Sequence, residues 1–110
     1  MIAQSDFVPL RPVEFHAYAC EELGLLGSRP IANAHRNKKE GVYAMLNLDM
    51  IGYPKIPKIG FALGHTHKDL NSFMLKLAAE YLNVKAVEMT AYGYTSDSGA
   101  WALEGYPSTW

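Results

Sequence analysis

Apolar and polar residues repeat with two different periods along the chain, and the first segments follow the pattern of a strand and then a helix. Residues 12–19 alternate apolar with less apolar side chains, which predicts a β-strand. Residues 25–41 offer Ser28 or Arg29 as a helix cap, Pro30 in the first turn and a basic end before Gly41. These features predict a short helix. Residues 42–50 are apolar up to Asn47 and Asp49, as in a strand buried on both faces.

The second half of the chain continues the alternation of strands and helices. A strand is predicted around residues 59–63 and another over 84–89, with Pro54 and Pro57 marking a turn before the first. A helix between them, with Thr66 and Asp69 as its capping box, is predicted by apolar residues at helical spacing: Leu70, Phe73, Met74, Leu77, Ala78, Tyr81 and Leu82. Residues 98–105 predict a short helix closed by Gly105, and residues 106–110 begin a further strand. This alternation predicts an α/β fold.

Composition narrows the class of protein. The chain has 110 residues, 49% hydrophobic and 19% charged, which predicts a single domain over residues 1–110 with one core. The net charge of -1 gives no reason to expect a nucleic-acid or anionic membrane partner, and no apolar run is long enough to span a bilayer. The N-terminal residues do not resemble a secretory signal, and localisation stays open. The single cysteine, Cys20, excludes an internal disulfide and is expected to be a small buried residue.

Three carboxylates follow the ends of predicted strands. In open α/β sheets ligands bind beyond the carboxyl ends of the strands, and Glu21, Glu22 and Asp49 all fall there. Carboxylates that converge in a partly buried crevice repel one another unless a cation neutralises them, so a divalent metal is one explanation. One carboxylate could then hold the metal while its neighbour takes a proton from water. The alternatives are a favourable interaction of the glutamates with a helix N-terminus and a structural salt bridge of Asp49.

The segments around these carboxylates resemble a known family. The stretch "VEFHAYACEELGLLGS" (13–28), followed after a helix by "MLNLDMIGY" (45–53), resembles the zinc-dependent aminopeptidases of the bacterial leucyl aminopeptidase type. These belong to the di-zinc exopeptidase superfamily, which includes glutaminyl cyclases. The resemblance runs from about Arg11 to Pro107 and implies a three-layer αβα fold of the phosphorylase/hydrolase-like type, with a mostly parallel central sheet.

The resemblance also implies roles for individual residues. Glu21 would be the general base, Glu22 a ligand of one zinc and Asp49 a ligand of the other. Met50 and Ile51 would lie beside the pocket for the N-terminal side chain of a peptide substrate. The stretch "YGYTSDSGAW" (92–101) is similar to a later loop of the family, in which a tyrosine matched by Tyr94 stabilises the tetrahedral intermediate. Tyr94 could equally be an ordinary loop aromatic.

The chain departs from the family pattern in three places. The first histidine ligand and the bridging aspartate of the family have no match upstream of Glu21, and the last histidine ligand has none downstream. The family's Ser-Asp-His triplet reads Ser96-Asp97-Ser98. Because a catalytic zinc usually has three protein ligands, zinc binding by the chain alone is expected to be weak or absent.

These departures predict the incomplete, central part of a peptidase catalytic domain. An exposed sheet edge could then allow self-association. The resemblance suggests a secreted or extracytoplasmic protein. A non-catalytic peptidase-like interaction module and a glutaminyl cyclase relative are the alternative functions. His65 and His67 are interpreted as a solvated helix start.

Overall fold

A computed structural model describes residues 6–53, 58–91 and 93–110, so the turn predicted at Pro54 and Pro57 lies outside the described residues. These residues form three helices and four strands, in the order α1 (Ser28–Asn37), β1 (Met45–Leu46), β2 (Lys58–Leu63), α2 (Lys68–Tyr81), β3 (Lys85–Thr90), α3 (Ser98–Leu103) and β4 (Ser108–Thr109). All paired strands are parallel, which confirms the predicted α/β class. No helix within these residues is long and apolar enough to cross a membrane.

The most regular part of the fold is the βαβ unit β2–α2–β3. The two strands pair in parallel from Lys58 opposite Lys85 to Leu63 opposite Thr90, and α2 packs against both. Part of the apolar set at helical spacing explains this packing, since Ala78 is buried and Met74 and Leu77 are half-buried, whereas Phe73 and Tyr81 are exposed. This unit confirms the predictions for residues 59–63, 70–82 and 84–89.

The second parallel pair joins β1 to β4, with Met45 opposite Ser108. A backbone hydrogen bond from the Ala62 amide to the Trp110 carbonyl, at 2.8 Å, connects this pair to β2. The buried side chain of Asn71 on α2 strengthens the junction. Its amide nitrogen donates to the Ala62 carbonyl at 2.6 Å, and its amide oxygen accepts from the Thr109 hydroxyl. A buried polar group with both ends satisfied fixes one arrangement of helix and strands.

The main apolar core lies between α1 and α3. Leu25, Ala32, Ala100 and Trp101 are buried there, and partly buried hydrophobic side chains pack around them. Trp101 is 3% exposed, and its indole nitrogen donates to the Tyr18 hydroxyl at 3.0 Å. This core therefore fixes the segment before Glu21 against α3.

Two strand predictions in the first half of the chain are wrong or too long. Residues 12–19 form no strand, and of residues 42–50 only Met45 and Leu46 are in one. A strand needs a hydrogen-bonded neighbour, and none of the described residues pairs with the 12–19 segment, where Phe15 is 82% exposed. The alternating pattern identified an extended segment but could not supply its partner.

Both predicted helix caps are also wrong. The N-cap of α1 is Gly27, while Ser28 is the first helical residue and its hydroxyl donates to the Leu25 carbonyl. The N-cap of α2 is His67, whose Nδ1 accepts from the Leu70 amide at 3.3 Å. The Thr66 hydroxyl instead donates to the Ala62 carbonyl. The short helix closed by Gly105 is confirmed, because Gly105 follows α3 with a φ of 82°.

Candidate functional site

The adjacent glutamates lie in a tight turn that leads into α1. The Leu25 amide donates to the Glu21 carbonyl at 2.9 Å, and the Leu26 amide donates to the Cys20 carbonyl at 3.2 Å. Cys20 has a φ of 58°, a left-handed conformation that is unfavourable for a residue with a side chain. It is exposed, so the prediction of a buried cysteine is wrong. Backbone strain directly before Glu21 is typical of a functional site.

Gly27 allows this turn to approach the preceding segment. A Cβ atom at position 27 would lie 2.5 Å from the carbonyl oxygen of Ala19. Real Cβ atoms do not come this close to a backbone oxygen, so any larger residue would push the turn away. Gly27 thus allows the turn that carries the two glutamates to lie against Ala19.

The side chains of the predicted site share one electrostatic environment. Burial raises the pKa of the Glu21 carboxyl above its usual value, and the negative charge of Glu22 raises it further. Asp49 and Asp97 act in the same direction. Glu21 therefore lies within electrostatic range of Glu22 and Asp49, and also of Asp97, which the sequence had not singled out.

The alternative explanations for these carboxylates find little support. The first turn of α1 contains no acidic residue, and charge–dipole effects fade within one turn of a helix end. Asp49 takes part in none of the ion pairs found within residues 6–53, 58–91 and 93–110. Neither a helix N-terminus nor a salt bridge accounts for the position of these groups.

Asp49 is held by a short hydrogen-bond chain. The Ser96 hydroxyl donates to Asp49 Oδ2 at 2.6 Å, and the Asn47 amide nitrogen donates to the Ser96 oxygen at 2.5 Å. Ser96 is only 1% exposed, so its hydroxyl has a fixed environment. The sequence had signalled both partners, Asn47 as a polar residue within an apolar strand pattern and Ser96 within the altered triplet, but not their link to Asp49.

The buried carboxylate of Asp97 bears on whether a cation could bind among these carboxylates. The side chain is 9% exposed, and its Oδ1 has no hydrogen-bond partner among the described groups. A buried carboxylate oxygen without a partner is costly unless a proton or a cation satisfies it. Oxygen donors from several carboxylates are chemically suited to a divalent metal such as zinc.

Tyr94 lies on the loop before α3. Its ring is 4.3 Å from that of His65, centroid to centroid, and no described hydrogen bond joins it to the carboxylates. Gly99 lies directly beneath it, since a Cβ atom there would be 2.6 Å from the Cβ of Tyr94. His67 is used as a helix cap and His65 is exposed, in keeping with their interpretation as part of a solvated helix start.

Met50 and Ile51 follow Asp49 into a turn. Met50 has a φ of 52°, and both side chains are exposed. Ile51 and Asp49 together line an apolar groove of about 270 Å³ between β1, β2 and α2, whereas Met50 does not line it. An apolar side chain could enter this groove beside Asp49.

Comparison with known proteins identifies the family. A family model described as Peptidase family M28 matches residues 1–110, which is the whole chain. The chain belongs to peptidase family M28. This confirms the aminopeptidase-type resemblance seen in the Glu21–Glu22 and Asp49 segments.

Individual M28 relatives agree with this assignment. The chain is 32% identical over 120 residues to "Leucine aminopeptidase 1" of Paracoccidioides brasiliensis, covering 98% of the chain and 31% of the relative. It is 36% identical over 107 residues to a probable aminopeptidase of Saccharomyces cerevisiae, covering 94% of the chain and 28% of that protein. The chain therefore spans under a third of the length of these curated relatives.

Solved structures show the same fold. The LapA aminopeptidase of Legionella pneumophila superposes with a TM-score of 0.78 at 28% identity, over 84% of the chain and 26% of LapA. LapB of the same organism gives a TM-score of 0.78 at 31% identity, with equal coverage. The parallel α/β arrangement is thus the arrangement found in part of two M28 structures.

Proposed function

We propose that this M28 chain contributes to a zinc aminopeptidase that removes the N-terminal residue of peptides. The observation that supports this best is that the charges of Glu22 and Asp49 both act on the half-buried carboxyl of Glu21, while the Ser96 hydroxyl holds Asp49. The relatives named leucine aminopeptidase give the substrate class.

The carboxylates of Glu22 and Asp49 are oxygen donors that zinc accepts, but a complete zinc site requires more ligands than these two. Glu22 and Asp49 would each hold one zinc ion. Bound zinc supplies a Lewis acid that lowers the pKa of its water toward about 7. Among the described residues the donor atoms of Glu22 and Asp49 do not belong to any group of three within 4.8 Å of one another. Weak zinc binding by these residues alone is therefore part of the proposal.

The remaining residues act on water and substrate. Glu21 takes the proton of the attacking water, and its raised pKa makes it a stronger base than an exposed glutamate. The Tyr94 hydroxyl donates a hydrogen bond to the developing oxyanion, a role that requires its side chain to turn toward the substrate. Met50 and Ile51 contact the N-terminal side chain, and Ile51 already borders the apolar groove beside Asp49.

The test compares three substrates in the longest protein that the reading frame encodes. With zinc added, leucine p-nitroanilide should be hydrolysed, whereas its N-acetylated form should not, because an aminopeptidase requires a free amine. Cyclisation of an N-terminal glutamine peptide without hydrolysis would instead show a glutaminyl cyclase. If none of the three substrates reacted, with or without added zinc, the proposal would be overturned in favour of a non-catalytic module.

Ser96→Ala tests how Asp49 is held. We expect zinc affinity to fall by about 10- to 100-fold, because hydrogen bonds to ligating carboxylates orient them. Affinity is measured by competition with a chromophoric chelator, and thermal stability is followed in parallel. Ser98→Ala is the matched control, since Ser98 is buried in the same segment but makes no described hydrogen bond to Asp49. An unchanged affinity with lower stability would show a purely structural role for Ser96.

A further inference from the structure

A second cluster of ligand-type side chains lies outside the carboxylate site. Glu14 and His16 come from the extended segment before the glutamate turn, and His35 comes from the last turn of α1. One donor atom from each residue lies within 4.8 Å of the other two. His16 Nε2 is 2.8 Å from Glu14 Oε2, and His35 Nε2 is 3.8 Å from the same oxygen. No other group of three such donors lies so close within the part of the chain that the structure describes.

The backbone explains why these groups converge. In an extended segment alternate side chains point to the same side, which places Glu14 and His16 together. The ring of Trp101 packs against both imidazoles, with centroids 5.9 Å from His16 and 5.0 Å from His35. Because Trp101 is part of the core, it restricts both histidines to rotamers that face Glu14.

His16 also has an outer partner of the kind found around metal ligands. Its Nδ1 lies 2.9 Å from the Tyr18 hydroxyl, which itself accepts a hydrogen bond from the Trp101 indole at 3.0 Å. The Tyr18 oxygen can accept from a protonated Nδ1, and that tautomer leaves the Nε2 lone pair free to bind a metal. Ligating histidines generally donate their second ring nitrogen in this way.

His35 and Glu14 show that the cluster is not fully satisfied as it stands. His35 Nδ1 is buried and makes no well-directed hydrogen bond, although Glu40 Oε2 is 2.6 Å away. Glu14 Oε2 faces both imidazoles from an exposed side chain, so this carboxylate can act as a ligand. Glu40 places a second carboxylate beside the cluster.

We propose that Glu14, His16 and His35 form a binding site for a divalent transition metal, of which zinc is the best fit. Two imidazole nitrogens and one carboxylate oxygen are a common zinc ligand set. Metal–ligand bonds of about 2.0–2.1 Å place tetrahedral ligands about 3.3 Å apart. The two spacings to Glu14 Oε2, 2.8 and 3.8 Å, lie on either side of this value. Glu40 or water would complete the coordination. The site shares no residue with the carboxylates assigned to catalysis and does not depend on the proposed function.

The experiment isolates this site from the carboxylate site. Zinc binding is measured by calorimetry on the 110-residue chain carrying Glu22→Gln and Asp49→Asn, together with Trp110→Phe to leave Trp101 as the only tryptophan. Co²⁺, a paramagnetic substitute for Zn²⁺, should quench the fluorescence of Trp101, and excess Zn²⁺ should restore it. We expect one zinc per chain in this background.

Matched variants then assign the ligands. Adding His16→Gln and His35→Gln should weaken zinc binding at least about tenfold. Removing a residue that only hydrogen-bonds to a metal ligand already lowers metal affinity by about that factor. Adding His65→Gln and His67→Gln removes the same number of histidines and should leave the affinity and the quenching unchanged. Glu14→Gln alters an exposed side chain and provides a milder test if the histidine variants fail to fold.

Two results would overturn the proposal. One is an equal zinc affinity in the two histidine double variants, which would place the metal elsewhere. The other is the absence of saturable zinc binding and of Trp101 quenching, which would leave the cluster as a hydrogen-bond and ion-pair network between the 14–18 segment and α1.

Discussion

Glu21→Gln should lower the rate of aminoacyl amide hydrolysis by about 10²- to 10⁴-fold, the usual contribution of a positioned general base. Glutamine keeps the size of the side chain but cannot accept the proton of the attacking water. Glu21 is half-buried, and this burial together with the neighbouring negative charges raises the pKa of its carboxyl. The loss should appear in kcat, because Glu21 is not expected to bind the substrate in its ground state.

Zinc content separates this role from metal binding. Glu21→Gln should retain zinc, whereas Glu22→Gln should lose it. Glu80→Gln, an exposed change on α2, is the matched control and should leave both quantities unaltered. Full activity in Glu21→Gln would eliminate Glu21 as the base, and loss of zinc in that variant would reassign it as a ligand.

Trp101→Ala should have the largest effect on stability, a loss of about 3–5 kcal/mol in the free energy of unfolding. The side chain is 3% exposed, fills the space between α1 and α3 and donates to the Tyr18 hydroxyl. Alanine leaves a cavity and removes the hydrogen bond. Because a domain of this size is stable by only about 5–15 kcal/mol, much of the chain could be unfolded at 37 °C.

Urea unfolding, followed by circular dichroism, measures this loss. Phe73→Ala removes another aromatic ring from a position that is 55% exposed, and it should change the free energy by no more than about 0.5 kcal/mol. The loss of unfolding free energy in Trp101→Phe should fall between the losses in Trp101→Ala and Phe73→Ala. Equal unfolding midpoints for Trp101→Ala and Phe73→Ala would show that the α1–α3 contact is not the core of the fold.

The sequence predicted the elements whose partners are close along the chain. In β2–α2–β3, strand alternation and helical spacing act over short segments, and the strands pair with each other around the helix between them. The 12–19 segment has the same alternation but no described strand beside it. Local pattern thus predicts an extended backbone, whereas a sheet also requires a neighbour that the pattern does not specify.

In the candidate site, too, the sequence predicted some residues and missed others. The expectation that Glu21, Glu22 and Asp49 meet rested on parallel strands that end at one edge of a sheet. Residues 12–19 form no strand, so Glu21 and Glu22 follow an extended segment instead, although the charge of Asp49 still acts on Glu21. The contribution of Ser96 and Asp97 could not be predicted in this way, since both lie on a loop whose path depends on the packing of α3. The Glu14, His16 and His35 cluster was also missed. It forms only because α1 lies across the extended segment.

The position of β4 has a consequence for the order of folding. Ser108 of β4 pairs with Met45 of β1, and the carbonyl of Trp110, which follows β4, accepts from the Ala62 amide of β2, although both partners come much earlier in the chain. Contacts between distant residues form slowly, because a long loop must close first. Residues 58–90 should therefore gain amide protection before residues 45–46 and 108–109 do, and the two strand pairs should be joined in the final step.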